Sequence, residues 1–269
     1  MATASLASNE AIEVLQPGSE DEAVEAFGDG ADVLVVAGGT IVLPELANGR
    51  LRPTRALLLT KAGLAGVTRE SGRVTIGAAT PIEELVDLPA PVGPCAANVG
   101  DLEIRGSGTV GGNLCAGAGF EAPRGDLQGA LIAVGATVRS AGEGGIAEEP
   151  LEEFLGNRRN RLVLSVAFEE PAAGAFEALD RPHTHDYTAL AVSAARSADG
   201  TIRLAATGAG SHGVRLPSAE AAANDVEAAG EAALGDVEPQ DDALASAWYR
   251  KKVLPVLVRR ALSQLQEAR

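Results

Sequence analysis

Lysine is almost absent from this sequence: only Lys61, Lys251 and Lys252 occur among its 22 basic residues, and the rest are arginine. None of the three sits in a Gly-x-x-x-x-Gly-Lys-Ser/Thr run, so a phosphate-binding P-loop is excluded. Cysteine is equally scarce. Cys95 and Cys115 alone cannot ligate an iron–sulfur cluster or build a four-ligand structural zinc site. They also cannot form a disulfide framework, which points to reduced thiols and the cytoplasm. Eight aromatics, five Phe, two Tyr and one Trp, make base-stacking platforms improbable. A formal charge of −15 and a pI near 4.6 argue against nucleic acid as a partner. No apolar run approaches the length of a membrane span, Val33–Ala37 being typical. Met1 is followed by no basic stretch, so no secretory leader is expected.

What the chain does contain is a core-forming composition, with 46% hydrophobic and 22% charged residues over 269 positions. Residues 1–60 read as a parallel strand–turn–helix–strand unit. A capped helix covers Asp21–Phe27 with Ser19 or Glu20 at its start, Val33–Val36 is a buried strand, and Ala56–Leu59 is a second strand. Residues 61–169 differ in texture, with strands at Arg73–Gly77, Ala136–Val138 and Leu162–Val166. Thr80 caps a helix beginning at Pro81, and a second helix covers Asp126–Val134. Residues 170–269 form a third region after a linker at Pro171–Gly174. Tyr187–Ala195 reads as a helix or a buried strand, Arg203–Thr207 as a strand, and 218–233 and 241–267 as helices. The basic cluster of the last helix, Arg250, Lys251, Lys252, Arg259 and Arg260, reads as a solvated face.

Two glycine clusters carry chemical interest. Val36-Ala37-Gly38-Gly39-Thr40 closes a buried strand; it reads as a strand-ending turn or, through its successive backbone N–H groups, as an anion site. Gly106, Gly108 and Gly111 satisfy Gly-x-Gly-x-x-Gly, but the residues after Gly111 are poor helix formers, so a Rossmann unit is rejected and only a phosphate-cradling loop is kept. Asp126 reads first as the cap of its helix and secondarily as an acceptor for ligand hydroxyls. His183 and His185 would share one face of a strand, yet three histidines in the whole chain give little support for a metal. Gly210-Ser211-His212-Gly213 is followed by no further histidine, which rules out the order of an α/β-hydrolase.

Together, Ala37–Thr40, Asp101-Leu102-Glu103-Ile104-Arg105, Gly108–Asn113 and Gly125-Asp126-Leu127 resemble the FAD-binding medium subunit of molybdenum hydroxylases, the carbon monoxide dehydrogenase and xanthine dehydrogenase class. Tyr249-Arg250, Arg259–Leu262 and His185-Asp186-Tyr187 extend the resemblance to the C-terminus. It implies an α+β protein: a two-part vanillyl-alcohol-oxidase-like FAD-binding fold (1–60 and 61–169), then a domain of a small sheet and helices (170–269). It also implies that Ala37, Gly38, Gly39, Thr40, Ile41, Thr109, Gly111, Gly112 and Asn113 hold the phosphates and ribityl chain of FAD. Asp126 would bond to a flavin-side hydroxyl or ring group, Val99 and Val163 would give apolar contacts, and Tyr187 would lie beside the ring.

By the same resemblance, the molybdenum cofactor and two [2Fe–2S] clusters belong to a large and a small partner subunit, in a dimer of heterotrimers. The chain would take electrons from the clusters and pass them to an external acceptor. Ala178 stands where some members carry a lysine, and the alternative is a scaffold subunit without FAD. The charge-poor stretch Gly106–Gly119 is expected to face a partner.

Overall fold

The computed structural model describes residues 11–117, 125–181, 183 and 187–268. Met1–Glu10, the segment 118–124 and His185–Asp186 lie outside the described residues. The chain is an α+β protein with three sheets, each backed by its own cluster of buried side chains.

The first sheet is parallel. Strand β1 (Glu13–Leu15) is followed by helix α1 (Glu20–Phe27), β2 (Val33–Val36), α2 (Val42–Ala47) and β3 (Arg55–Leu58), and β3 lies between β1 and β2. Of the two starts the sequence allows, Ser19 is the cap of helix α1: its hydroxyl accepts a hydrogen bond from Glu22 N, and the helix begins at Glu20. It buries Ala23 and Phe27 against Leu57 and Leu59. Strand β2 is less buried than its composition suggests. Only Val36 is enclosed, while Val33, Leu34 and Val35 line a cleft.

The second sheet is antiparallel, in the order β4 (Val67–Glu70), β5 (Arg73–Gly77), β8 (Leu162–Glu169), β6 (Thr137–Gly142), β7 (Gly145–Pro150). Between β5 and β6 run the helices α3 (Val92–Ala97), α4 (Leu102–Ser107), α5 (Val110–Cys115) and α6 (Leu127–Ala133), and α7 (Leu151–Gly156) precedes β8. The expected helix at Pro81 is one turn of 3-10 helix, Ile82–Leu85. Thr80 does not cap it; its hydroxyl is bound to the backbone of Gly66, taking one bond from Gly66 N (2.9 Å) and giving one to Gly66 O (3.1 Å).

Helix α5 corrects the expectation that the residues after Gly111 would not form a helix. Thr109 caps it through Gly112 N, and Val110, Gly111, Asn113 and Leu114 are all buried. Tertiary burial outweighs an intrinsic penalty of about 1 kcal/mol per glycine. The same burial explains why Gly106–Cys115 is poor in charge: much of it packs inside this chain, with Val110 and Leu114 fully enclosed. The partner-facing reading of that stretch is therefore not needed for these residues. Its last two positions, 118 and 119, lie outside the described residues.

The third sheet, in the order β12 (Val214–Arg215), β11 (Ile202–Thr207), β10 (Ala191–Arg196), β9 (Ala173–Ala178), is antiparallel. The expected linker is partly strand, since Ala173 and Gly174 open β9. Two short helices, α8 (Pro217–Ala221) and α9 (Val226–Ala232), replace the continuous helix expected over 218–233. Asp225 breaks the run by capping α9 through Glu227 N and Ala228 N. The long α10 (Ala247–Glu267) packs on β9, β10 and α9. Arg250 is not part of a solvated face. It is 2% exposed, pairs with Asp242 at 2.7 Å and donates to the carbonyls of Ala189 and Gln240. Arg259 bridges to Glu227.

Helix α6 joins the second and third regions. All seven of its residues are buried, between α3 and α5 on one side and β10 and β11 on the other. Gly129 N donates to Thr207 Oγ1 at 3.0 Å, and a Cβ on Gly129 would lie 2.6 Å from that oxygen. A glycine is required there because helix and sheet approach so closely. No helix among the described residues is long and apolar enough to cross a membrane.

Candidate functional site

A cleft of about 480 Å³ opens between the first two regions and reaches the start of the third. That volume lies within the range of small-molecule and cofactor sites, which are mostly apolar with a few placed polar groups. All thirteen residues singled out in the sequence line it: Ala37–Ile41, Val99, Thr109, Gly111, Gly112, Asn113, Asp126, Val163 and Tyr187. They come from segments as far apart as β2 and the approach to β10.

The first glycine loop, between β2 and α2, is held by close backbone packing. A Cβ on Gly38 would lie 1.8 Å from the Ser107 carbonyl oxygen, so this loop touches the end of α4 backbone to backbone. Gly39 has φ +74, a conformation that disfavours other residues. Among the described residues, the N–H groups of Gly39, Thr40 and Ile41 have no protein acceptor. They are therefore available to a ligand in the cleft.

The second loop is built differently. Val110 N donates to Thr80 O (3.0 Å), Gly111 N to Ala78 O (2.8 Å), Gly112 N to Thr109 Oγ1 (3.2 Å) and Asn113 N to Thr109 O (2.9 Å). Its amides are thus already used within the protein. What it brings to the cleft is a close, flat wall. A Cβ on Gly111 would meet Ala78 at 3.0 Å, whereas one on Gly112 would have only Thr109 Oγ1 near it, at 3.1 Å.

Asp101 and Arg105 support this wall from outside. Asp101 caps α4 through Ile104 N at 2.8 Å. Arg105 pairs with Glu83 at 2.6 Å and donates to the carbonyls of Ala97 and Val99, which fixes the segment that presents Val99.

Asp126 is not the cap of α6. The first amide of that helix, Leu127 N, donates to Asn113 Oδ1 at 2.9 Å, and Asp126 has helical dihedrals with no capping bond. The asparagine that ends the second glycine loop thereby orders the next helix, and Asp126 lines the cleft together with Tyr187. Burial, and secondarily the charge of Asp126, raise the Tyr187 phenol above its usual value. Behind Tyr187, Thr188 Oγ1 accepts from Asn98 Nδ2 at 2.8 Å, and Arg181 donates to Gly100 O. These bonds tie the third region to the Val99 segment. Ala178 ends β9, opposite Ala191, and is not among the cleft residues.

The sequence reading missed the run Arg158-Arg159-Asn160-Arg161, all four of which line the cleft. Its signal was present: three arginines within four residues are conspicuous in a chain of −15. Cys115 lines the same cleft. Burial pushes its thiol up to about 11, against a smaller opposing effect of Arg158. It is therefore protonated and unreactive near neutral pH. No group of three or more His, Cys, Asp or Glu among the described residues is arranged to hold a metal ion.

Comparison with known proteins bears on this arrangement. Residues 10–168 match the model of a family described as the FAD binding domain in molybdopterin dehydrogenase. The chain is 28% identical to the 6-hydroxypseudooxynicotine dehydrogenase complex subunit alpha of Paenarthrobacter nicotinovorans, over 91% of each chain. It is 27% identical to the carbon monoxide dehydrogenase medium chain of Hydrogenophaga pseudoflava, covering 92% of this chain and 94% of that one. A solved structure of carbon monoxide dehydrogenase from H. pseudoflava, in a form lacking the Mo-pyranopterin moiety, superposes with a TM-score of 0.84 at 27% identity, over 96% of this chain and 98% of that one. Quinoline 2-oxidoreductase from Pseudomonas putida 86 shares the fold, with a TM-score of 0.80 at 22% identity and coverage of 96% and 98%.

Proposed function

Because the chain belongs to the family of FAD-binding domains in molybdopterin dehydrogenases, we propose that it is the FAD-carrying electron-transfer subunit of a molybdenum-dependent hydroxylase or dehydrogenase. In this reading it takes electrons from [2Fe–2S] clusters of a small partner subunit and delivers them to an external acceptor. A large partner subunit holds the molybdenum cofactor and performs the substrate chemistry. The relatives named above as a complex subunit and as a medium chain support a multi-subunit setting.

The observation that carries the proposal is the convergence of thirteen residues from six separate segments on one cleft. The residues present fit FAD. The free N–H groups of Gly39, Thr40 and Ile41 suit phosphate oxygens. Gly112 leaves room for a ligand to approach the backbone. Asp126 offers a carboxylate to ribityl or ring donors, Val99 and Val163 offer apolar walls, and Tyr187 offers a ring that is 36% exposed and carries a polar hydroxyl. The flavin supplies acceptance and release of electrons when bound; the chain's part is to hold, orient and electrostatically tune it.

The test is a rapid-mixing experiment on the native complex and on the isolated chain. Substrate added to the complex should bleach flavin absorbance, and the isolated chain loaded with FAD should show no substrate-dependent bleaching. Substrate turnover by the isolated chain, or a complex whose flavin never bleaches, would overturn the proposal.

A further inference from the structure

The glycine loop supplies hydrogen-bond donors but no full charge, and a chain of −15 sets a field that repels a dianionic diphosphate. Cationic side chains in the cleft must offset it. Three arginines line the cleft, and they are not equivalent. Arg161 also has a buried Nε without a partner, but its charge is paired: Nη2 donates to Glu149 at 2.8 Å and to Ser140 Oγ at 2.6 Å, and its guanidinium lies 5.9 Å from the centre of the Phe154 ring. Arg159 is exposed.

Arg158 is half-buried between these extremes. Its Nη1 donates to the Leu155 carbonyl, which fixes the side chain, while its Nε is buried with no hydrogen-bond partner. Among the described residues no carboxylate pairs with it. The ionisable groups that act on it are Cys115, which is protonated, and the like-charged Arg159. A fixed guanidinium with an unspent donor and no counter-charge, in the wall of a cofactor cleft, is a costly arrangement for the protein alone. An anionic ligand would satisfy both needs through a charge-assisted bond.

From this we infer that Arg158 is a binding residue for the phosphate-bearing half of the cofactor, giving the cleft its selectivity for adenosine diphosphate groups over neutral flavins. The inference rests on the FAD reading for the flavin itself, but it predicts binding of ADP in its own right.

The experiment is equilibrium titration of the full chain, freed of bound nucleotide, with FAD, ADP and riboflavin. Wild type, Arg158→Gln and Arg158→Lys are compared, each checked by thermal melting. Arg158→Gln should weaken both FAD and ADP by about tenfold or more, the effect of losing one charge-assisted hydrogen bond. It should leave riboflavin within about twofold and the melting temperature of the unliganded protein unchanged or raised. Arg158→Lys should recover part of the ADP affinity, since it keeps the charge without the planar fork. Unchanged ADP binding in Arg158→Gln, or an equal loss for riboflavin, would overturn the assignment. Arg158-dependent ADP binding by a protein that takes up no flavin would support Arg158 as the anion contact and overturn the FAD reading instead. Wild type that binds neither would overturn both.

Discussion

The two glycine loops of the cleft look alike in sequence and behave differently in the structure. Gly38-Gly39-Thr40-Ile41 leaves three N–H groups without protein acceptors and includes a glycine at φ +74. Thr109–Asn113 binds each of the amides from Val110 to Asn113 to its own protein and ends in an asparagine that caps the following helix. The first loop is a donor cradle. The second is a packed wall whose glycines serve closeness rather than hydrogen bonding. Runs of glycine thus mark where backbone comes near something, and only the pairing of the amides tells whether that something is a ligand or the protein.

The sharpest way to break this comparison is at Gly38. Its Cβ would meet the Ser107 carbonyl oxygen at 1.8 Å, so Gly38→Val should destabilise the protein by about 3 kcal/mol and be read first in the melting temperature. A variant that melts like wild type would mean that the loop does not rest on α4. Gly39→Val comes next. The left-handed backbone costs a side chain about 1–2 kcal/mol, and FAD affinity should fall by about tenfold or more as the cradle is lost. Titration with FAD checks this, and retained affinity would reassign the donor role.

Thr109→Ala sharpens the other half of the comparison. It removes the cap of α5 and should cost about 1 kcal/mol of stability, visible in denaturant unfolding. The smallest effect concerns Cys115. Its thiol is raised to about 11 in the folded protein against about 8.5 in an unfolded chain. Such a group is protonated in both states at neutral pH. Above about pH 8.5 the unfolded chain gives up the proton first, so stability falls as pH rises toward 11. Cys115→Ser should flatten that part of the stability profile, and an unaltered slope would show that other groups cause it.

Much of the architecture was legible because it rests on local patterns. The β-branched run at Val33–Val36, the cap at Ser19 and the strand at Arg73–Gly77 stand where the sequence places them. What escaped was set by tertiary packing. Helix α5 forms from poor helix formers because its surroundings bury it. The helix expected over 218–233 divides because Asp225 caps the second half. Asp126 reads as a cap by residue type, yet Asn113, thirteen positions earlier, takes that role from another element. All the candidate site residues meet at the cleft, but the arginines at 158–161 match no motif. Only their contrast with the acidic chain could have marked them.

The measurement closest to the central claim is the flavin content of the chain itself. After incubation with FAD and removal of free ligand, the protein should carry close to one FAD per chain, and acid precipitation should release it to the supernatant. The same treatment of Gly39→Val should leave little FAD bound. Wild-type chain that retains no FAD, or a Gly39→Val variant with full occupancy, would contradict the account.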